Sequence, residues 1–444
     1  MTHKPETIDL LVEARWIAQV EPDTVLENHA LAVHAGRIVA ILPSSEARQR
    51  YRPGQRVTLE QHILIPGLVN LHTHAAMTLM RGLADDLPLM EWLQQHIWPT
   101  EAAHVSPQFV LDGTRLACAE MLRGGITCFN DMYFYPEAAA TAASEFGMRA
   151  ALGITTLEFP TPYASDADDY LNKGLAAREQ WRDHPLISFC LAPHAPYTVS
   201  DATFERILVL SEQLGLPVHC HVHETHHEVD EATRRDGHAP LARLHRLGLL
   251  GPGFIGVHGV HLADADIELL AATGSHIAHC PTSNLKLASG IAPVAQLLRR
   301  GVNIGLGTDG AASNNRLDLF GEMRLAALLA KGTSGDAAVL PARQALRMAT
   351  LNGATALGLG QQTGSLTPGK AADLCAIHLG SLETRPCFDP VSHLAHVAGR
   401  EAVTHVWIAG KCCVDNKILT GYPANHLDSA ITLWQNTLEV RRNI

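Results

Sequence analysis

The chain of 444 residues is long enough to bury a large core, and its length fits two or three domains, or one α/β barrel of roughly 250 residues plus an accessory unit. A formal charge of −11 and a pI near 6.1, with no basic block to offset the acidic balance, argue against nucleic acid or an anionic membrane surface as a partner. No stretch approaches the roughly 18–20 apolar residues of a membrane span. Acidic residues interrupt the apolar runs of the opening MTHKPETIDLLVEARWIAQVEP, so no secretory leader is expected. Nine cysteines without a CxxC pair read as buried free thiols in a reducing, cytoplasmic setting.

Residues 1–65 read as all-β. DLLVEARWIAQV, HALAVHAGRIVAIL and QRVTLEQHILIP are strand-like runs separated by turn residues, with Gly36-Arg37 as a hairpin tip. The same pattern returns in residues 366–444, where ADLCAIHLG and VTHVWIAGKCCV flank a turn at Ala409-Gly410-Lys411 before a terminal helix. The two blocks are expected to form one small β-sandwich from both chain ends.

Between them, residues 66–365 alternate short apolar strands with amphipathic helices. LIPGLVNLHTH opens the series, followed by GITCFND, RAALGIT, ISFCLAPH, PVHCHVHE, FIGVHGVH, HIAHCP and VNIGLGTD. Helices are expected between them, for instance FERILVLSEQLG and ADIELLAAT, the latter stopped by Gly274. Regular βα alternation argues for a parallel sheet covered on both faces, and eight units argue for a closed (β/α)8 TIM barrel. An open doubly wound sheet is the alternative, but no Gly-rich phosphate loop supports it.

A barrel places functional groups at the C-terminal ends of its strands. His72 and His74 end the first strand, Asp131 the second, His194 the fourth, and His221 with Glu224 the fifth. His258 or His261 ends the sixth, His279 the seventh and Asp309 the eighth. Histidines that merely filled a core would not keep to one end. Residues two apart on a strand share a face, so His72 and His74 project together, and two neutral imidazoles suit a divalent transition metal. On the fifth strand His219, His221 and His223 share one face, and any of them can reach a metal. Glu224 has the wrong parity for that face but can turn inward just past the strand end. A ligand beside a carboxylate that is not a ligand is what hydrolytic deamination requires.

The segments GLVNLHTHAAMTLMRG, WPTEAAHVSP, CFNDMYF, APHAPYTVS, HVHETHHE, GVHGVHLAD, HCPTSNLKLASGIAPV and LGTDGAASNNRLDLFGEMRLA resemble the amidohydrolase superfamily. Within it they resemble the 5′-methylthioadenosine/S-adenosylhomocysteine deaminases, over nearly the whole chain. The resemblance implies one divalent metal, Zn2+ with Fe2+ or Mn2+ as alternatives, held by His72, His74, His221 and Asp309. It implies that Glu224 binds adenine N1 and delivers a proton, that His258 orients the attacking water, and that Asp309 takes the proton of that water. Glu101 is expected on the ribose hydroxyls and His194 as a further nucleoside contact. Residue type alone reads Glu101 as a solvated helix-start glutamate and His194 as a turn histidine.

The family members that act on S-adenosylhomocysteine look to clamp its amino-acid tail with arginines. Here GMRAALGITTLEFPTPYASDADDYL has Gly153 near the first such place and no arginine in the loop beyond, while Asp166, Asp168 and Asp169 are expected to repel a carboxylate. The expected substrate is therefore 5′-methylthioadenosine, converted to 5′-methylthioinosine and ammonia, with adenosine or S-adenosylhomocysteine as weaker substrates. Of Met77, Met80, Trp92, Trp98, Met132 and Phe134, about two are expected to line the thioether pocket. An aminohydrolase for guanine, 8-oxoguanine, cytosine or an s-triazine is the alternative. The expected partner is a small-molecule nucleoside, and the expected assembly a homo-oligomer.

Overall fold

The structure, a computed structural model, describes residues 5–442. Eight parallel strands run in sequence order: β1 (Leu68–Thr73), β2 (Ile126–Asp131), β3 (Arg149–Thr156), β4 (Ile187–Pro193), β5 (Val218–Val222), β6 (Phe254–His258), β7 (His276–His279) and β8 (Asn303–Leu306). Every residue of β1, β2, β3, β5, β6 and β7 is buried, as expected of parallel strands covered on both faces. The ring is drawn together where the chain leaves β8. There the backbone N–H groups of Thr308 and Asp309 donate to the His72 carbonyl at 3.1 and 3.0 Å, and Thr308 N–H also reaches Asn70 Oδ1 at 2.9 Å. The eight-stranded barrel expected from the alternation is present.

Helices follow the strands, and the stop expected at Gly274 is present. Asp201–Leu214 begins on Ser200, whose hydroxyl accepts from Thr203 N–H, and ends at Gly215 with φ +64°. Asp264–Thr273 ends at Gly274 with φ +71°. After β7 the single expected helix is replaced by two short ones, Pro281–Lys286 and Val294–Arg299.

The chain ends build a second unit, hydrogen-bonded as one continuous eight-stranded sheet. Its two halves join where Leu374–His378 runs antiparallel to Tyr51–Pro66, with Ala376 opposite Leu64. The sheet closes over its own core of Leu10, Val12, Leu31, Val33, Leu374 and Trp407. Two hairpin tips meet across it. Ala35-Gly36 and Ala409-Gly410 both have φ between +47° and +75°, and a Cβ on Gly36 would lie 2.8 Å from the Ala409 carbonyl oxygen. A buried ion pair, Arg149 Nε to Asp373 Oδ2 at 3.0 Å, ties the start of β3 to this sheet. The terminal helix Ala424–Arg442 lies on Pro107–Arg123, where Trp434 Nε1 donates to Asp112 Oδ2 at 3.1 Å. Among the described residues, no helix is long and apolar enough to cross a membrane.

Candidate active site

The C-terminal ends of the strands converge on one cluster of donors. His72 Nε2 lies 3.3 Å from His221 Nε2 and 3.3 Å from Asp309 Oδ1, and His74 Nε2 lies 3.3 Å from the same carboxylate oxygen. Each imidazole is oriented through its other nitrogen. His74 Nδ1 donates to the Met132 carbonyl at 2.6 Å, and His221 Nδ1 donates to the His194 carbonyl at 2.8 Å. A carbonyl only accepts, so both rings carry their proton on Nδ1 and turn an Nε2 lone pair inward. Asp309 is fixed by Ser283 Oγ, which donates to Oδ2 at 2.6 Å, and by Gly310 N–H on Oδ1 at 2.7 Å.

The protonation states fit a cation. Burial lowers the His72 pKa to about 4 and holds His221 well below the ordinary imidazole value, so both are neutral lone-pair donors. Burial alone would raise Asp309, but the neighbouring His72, His74 and His258 rings hold it well below the usual carboxylate range. His72, His74 and Asp309 bring three ligand atoms close together, and His221 Nε2 joins them at 3.3 Å from His72 Nε2, a histidine and carboxylate donor set suited to a zinc-like divalent ion. His258 shares the neighbourhood, because His72, His221 and His258 form a second group of ligand atoms close enough to hold an ion.

The three-histidine ambiguity on β5 is resolved by partners. His221 faces the cluster. His219 lies fully buried on the far side of His72, its Nε2 3.0 Å from His72 Nδ1. His223 is turned away, donating through Nδ1 to the His261 carbonyl at 2.8 Å and accepting Leu241 N–H on Nε2 at 3.1 Å. His223 also has φ +55°, a left-handed turn just past the strand. That turn swings Glu224 inward against its strand parity. The Glu228 carboxylate holds it by accepting the N–H groups of His223 and Glu224 at 3.0 and 2.8 Å.

Glu224 is buried, with Oε2 3.8 Å from His258 Nε2 and Oε1 3.5 Å from Ser289 Oγ. Burial raises its pKa, and the opposing pull of His258 and Ser289 does not cancel that rise. His258 bonds Asn284 Oδ1 through Nδ1 at 2.8 Å, and its φ is +73°. His261 instead bonds the Ser289 carbonyl through Nε2 at 2.6 Å. Asp309 has φ +60°, so two strained left-handed conformations, at His258 and Asp309, sit on the strand ends that face the cluster.

Above these groups opens a cavity of about 310 Å³ whose walls include His74, His194, His221, Glu224, His258, Asp309 and Glu101. His194 is steadied by its Nδ1 contact to Thr198 Oγ1 at 3.0 Å. Glu101, on Trp98–His104, is buried rather than solvated, and Tyr133 OH donates to its Oε1 at 2.7 Å. Burial raises its pKa to about 7, only partly offset by that hydrogen bond. The remaining walls are apolar and aromatic. Met77, Trp92, Trp98, Met132 and Phe134 all reach the cavity, more than the two expected, while Met80 is confined to the core.

Among the described residues no arginine or lysine lines the cavity. Arg149 is engaged by Asp373 beneath the barrel. The acidic residues of the loop after β3 do not line the cavity either, so charge repulsion by them is not what shapes it. Asp166 caps Ala167–Trp181, Asp168 pairs with Arg206, and Asp169 pairs with Lys173. Leu157, Phe159 and Pro160 form the cavity wall there instead. Asp131 and His279, also at strand ends, serve elsewhere. Asp131 accepts Ala75 N–H at 2.7 Å and steadies the turn after His74, and His279 is buried outside the lining. Tyr133, Glu228, Ser283 and Asn284 escaped the sequence reading, although all four fall within CFNDMYF, HVHETHHE and HCPTSNLKLASGIAPV, and His219 was read only as a candidate ligand.

The amidohydrolase family model matches residues 63–413. The chain is 48% identical to the 5-methylthioadenosine/S-adenosylhomocysteine deaminase of Saccharophagus degradans, covering 100% of this chain and 99% of that protein. It is 46% identical to the protein of the same name from Teredinibacter turnerae, covering 98% and 99%. Among solved structures, an adenosine deaminase from Xanthomonas campestris with bound zinc superposes with a TM-score of 0.97 at 50% identity, over 98% of this chain and 100% of that one. The zinc complex of an atrazine chlorohydrolase from Arthrobacter aurescens, 22% identical, shares the fold with a TM-score of 0.89 over 96% and 99% of the two chains.

Proposed function

The chain belongs to the amidohydrolase family, and on that premise we propose that it hydrolyses the 6-amino group from the adenine ring of 5′-methylthioadenosine, releasing 5′-methylthioinosine and ammonia. The observation that carries this reading is one cavity holding a His₃Asp donor set, a separate buried glutamate beside it, and a second buried glutamate on Tyr133. The substrate is a small molecule, and the cavity is sized for one.

In this reading His72, His74, His221 and Asp309 would hold a single Zn2+. Bound there, the ion supplies the Lewis acidity that lets water lose a proton near neutral pH. Asp309, whose Oδ1 faces the histidines, takes a proton from the attacking water. Glu224, raised by burial, carries a proton to N1 and makes carbon 6 electrophilic. His258, fixed by Asn284, holds the attacking water in line. Water adds to carbon 6, the proton on Asp309 passes to the amino group, and the carbon–nitrogen bond breaks to release ammonia while the remaining hydroxyl proton on oxygen 6 returns to Glu224. His194 contacts the nucleoside. Glu101 accepts the two ribose hydroxyls, a role a free base such as guanine or cytosine would leave unused.

Two expectations follow from the cavity walls. The tail of methylthioadenosine is a neutral thioether and suits Met77, Met132 and the aromatic residues. S-adenosylhomocysteine would bury a carboxylate and an ammonium with no partner, so kcat/KM measured by ammonia release is expected to favour methylthioadenosine by about tenfold or more. Equal values for the two would overturn the assignment of the tail pocket.

Glu101 makes binding pH-dependent. Its carboxyl is raised to about 7 by burial, and only the ionised form accepts both hydroxyls of a diol. Because the folded value is raised, the binding form is the one above pH 7, and it is lost as pH falls. KM for methylthioadenosine is expected to rise below pH 7 by about tenfold per unit. Glu101→Gln is expected to raise KM and flatten that slope. An unaltered slope in the variant would assign the titration to another group.

A further inference from the structure

We propose that His219 is a positioning residue for the metal: by accepting the Nδ1 proton of His72 it fixes that ring in the tautomer whose Nε2 lone pair faces the other ligands. This rests on the reading of His72 as a ligand and deepens it.

The argument starts from an asymmetry among the three histidines. His74 and His221 are held by backbone carbonyls of Met132 and His194, which can only accept, so their tautomers are set by the fold. Among the described residues, no backbone carbonyl accepts from His72 Nδ1. The hydrogen-bond partner of its Nδ1 is the imidazole of His219, at 3.0 Å, with the two ring planes inclined by 73°. Both rings are fully buried, so water does not compete for that nitrogen. An imidazole can accept or donate, and the choice decides what His72 can do. If His219 Nε2 donates, the His72 proton is driven to Nε2, where Asp309 Oδ1 at 3.3 Å receives it and no lone pair remains for an ion. If His219 Nε2 accepts, His72 is protonated on Nδ1 and its Nε2 is free. His219 then carries its own proton on Nδ1, an atom that is buried and has no partner among the described residues. Outer partners of this kind set the tautomer and basicity of a ligating histidine.

His219→Leu removes the acceptor, leaves a His72 Nδ1–H group unsatisfied and favours the Nε2-protonated form against Asp309. His219→Gln keeps an acceptor oxygen close to the place of Nε2. The test measures the zinc dissociation constant by competition with a chelator, alongside kcat and KM. His219→Leu is expected to bind zinc about 10- to 100-fold more weakly, with kcat recovering at saturating zinc and KM unchanged. His219→Gln is expected to restore most of the affinity. His72→Ala serves as the control that separates the two layers. Zinc retained by His72→Ala would overturn the ligand reading itself. Zinc lost from His72→Ala but bound by His219→Leu with the parental constant would overturn the positioning role alone. Should His219→Leu fail to fold, 15N-histidine spectra of the zinc-loaded parent decide instead. His72 protonated on Nδ1 opposite an unprotonated His219 Nε2 is the expected result, and a proton on His219 Nε2 would refute it.

Discussion

Glu224→Gln is expected to lower kcat for methylthioadenosine by about 10²- to 10⁴-fold while the purified protein keeps its metal. The substitution preserves size and the ability to hydrogen-bond, and it removes only the proton that Glu224 exchanges with the ring. Glu224 stands outside the donor set, its nearest imidazole being His258 at 3.8 Å, so the ligands need not move. The turn that presents it is held by Glu228 through backbone N–H groups of His223 and Glu224, which the variant retains. Metal content by elemental analysis and single-turnover rates check the two halves separately. A rate close to the parental one would remove Glu224 from the chemistry, and loss of metal would make it a ligand.

Removing the metal is expected to have the larger effect. Dialysis against a chelator should abolish ammonia release by at least about 10⁴-fold, since free water has a pKa of about 15.7 against about 7 for water on zinc. Activity should return at one zinc per chain, because the His₃Asp set offers four donors around one point. His221→Ala and Asp309→Ala are expected to lose the ion, as each removes one of those four. Recovery that needs two equivalents would contradict a mononuclear site. Retention of full activity after complete removal would contradict the donor set altogether.

The barrel was legible because a parallel strand buried on both faces leaves a short apolar run, and eight such runs recur between amphipathic helices. The donor set was legible for a related reason. His72, His74, His221 and Asp309 all fall where those runs end, and the barrel brings strand ends together whatever their spacing in sequence. What local pattern leaves open is which of several residues on one face turns toward the centre. His219, His221 and His223 are equivalent by parity, and only their partners, His72, the His194 carbonyl and the His261 carbonyl, distinguish them. His258 and His261 are separated in the same way, by Asn284 and the Ser289 carbonyl.

Glu101 illustrates a different limit. It lies near the end of the helical run 89–104 in the long connection after β1, and residue type alone favours a solvated position there. Its burial comes from packing beside Tyr133, a contact across 32 residues that no local periodicity encodes. The acidic loop errs in the opposite sense. Asp166, Asp168 and Asp169 look like a charged rim in sequence, but a helix start and two basic neighbours claim them, and apolar residues face the cavity. Small polar residues such as Ser283 and Asn284 carry no signal of their own, because a turn uses the same residues as caps.

The most direct measurement is ammonia release by zinc-loaded protein supplied separately with methylthioadenosine, S-adenosylhomocysteine, adenosine, guanine and cytosine. The expected result is one ammonia and one 5′-methylthioinosine per methylthioadenosine consumed, with that substrate giving the highest kcat/KM and the free bases left unchanged. Turnover of guanine or cytosine with methylthioadenosine untouched would contradict it.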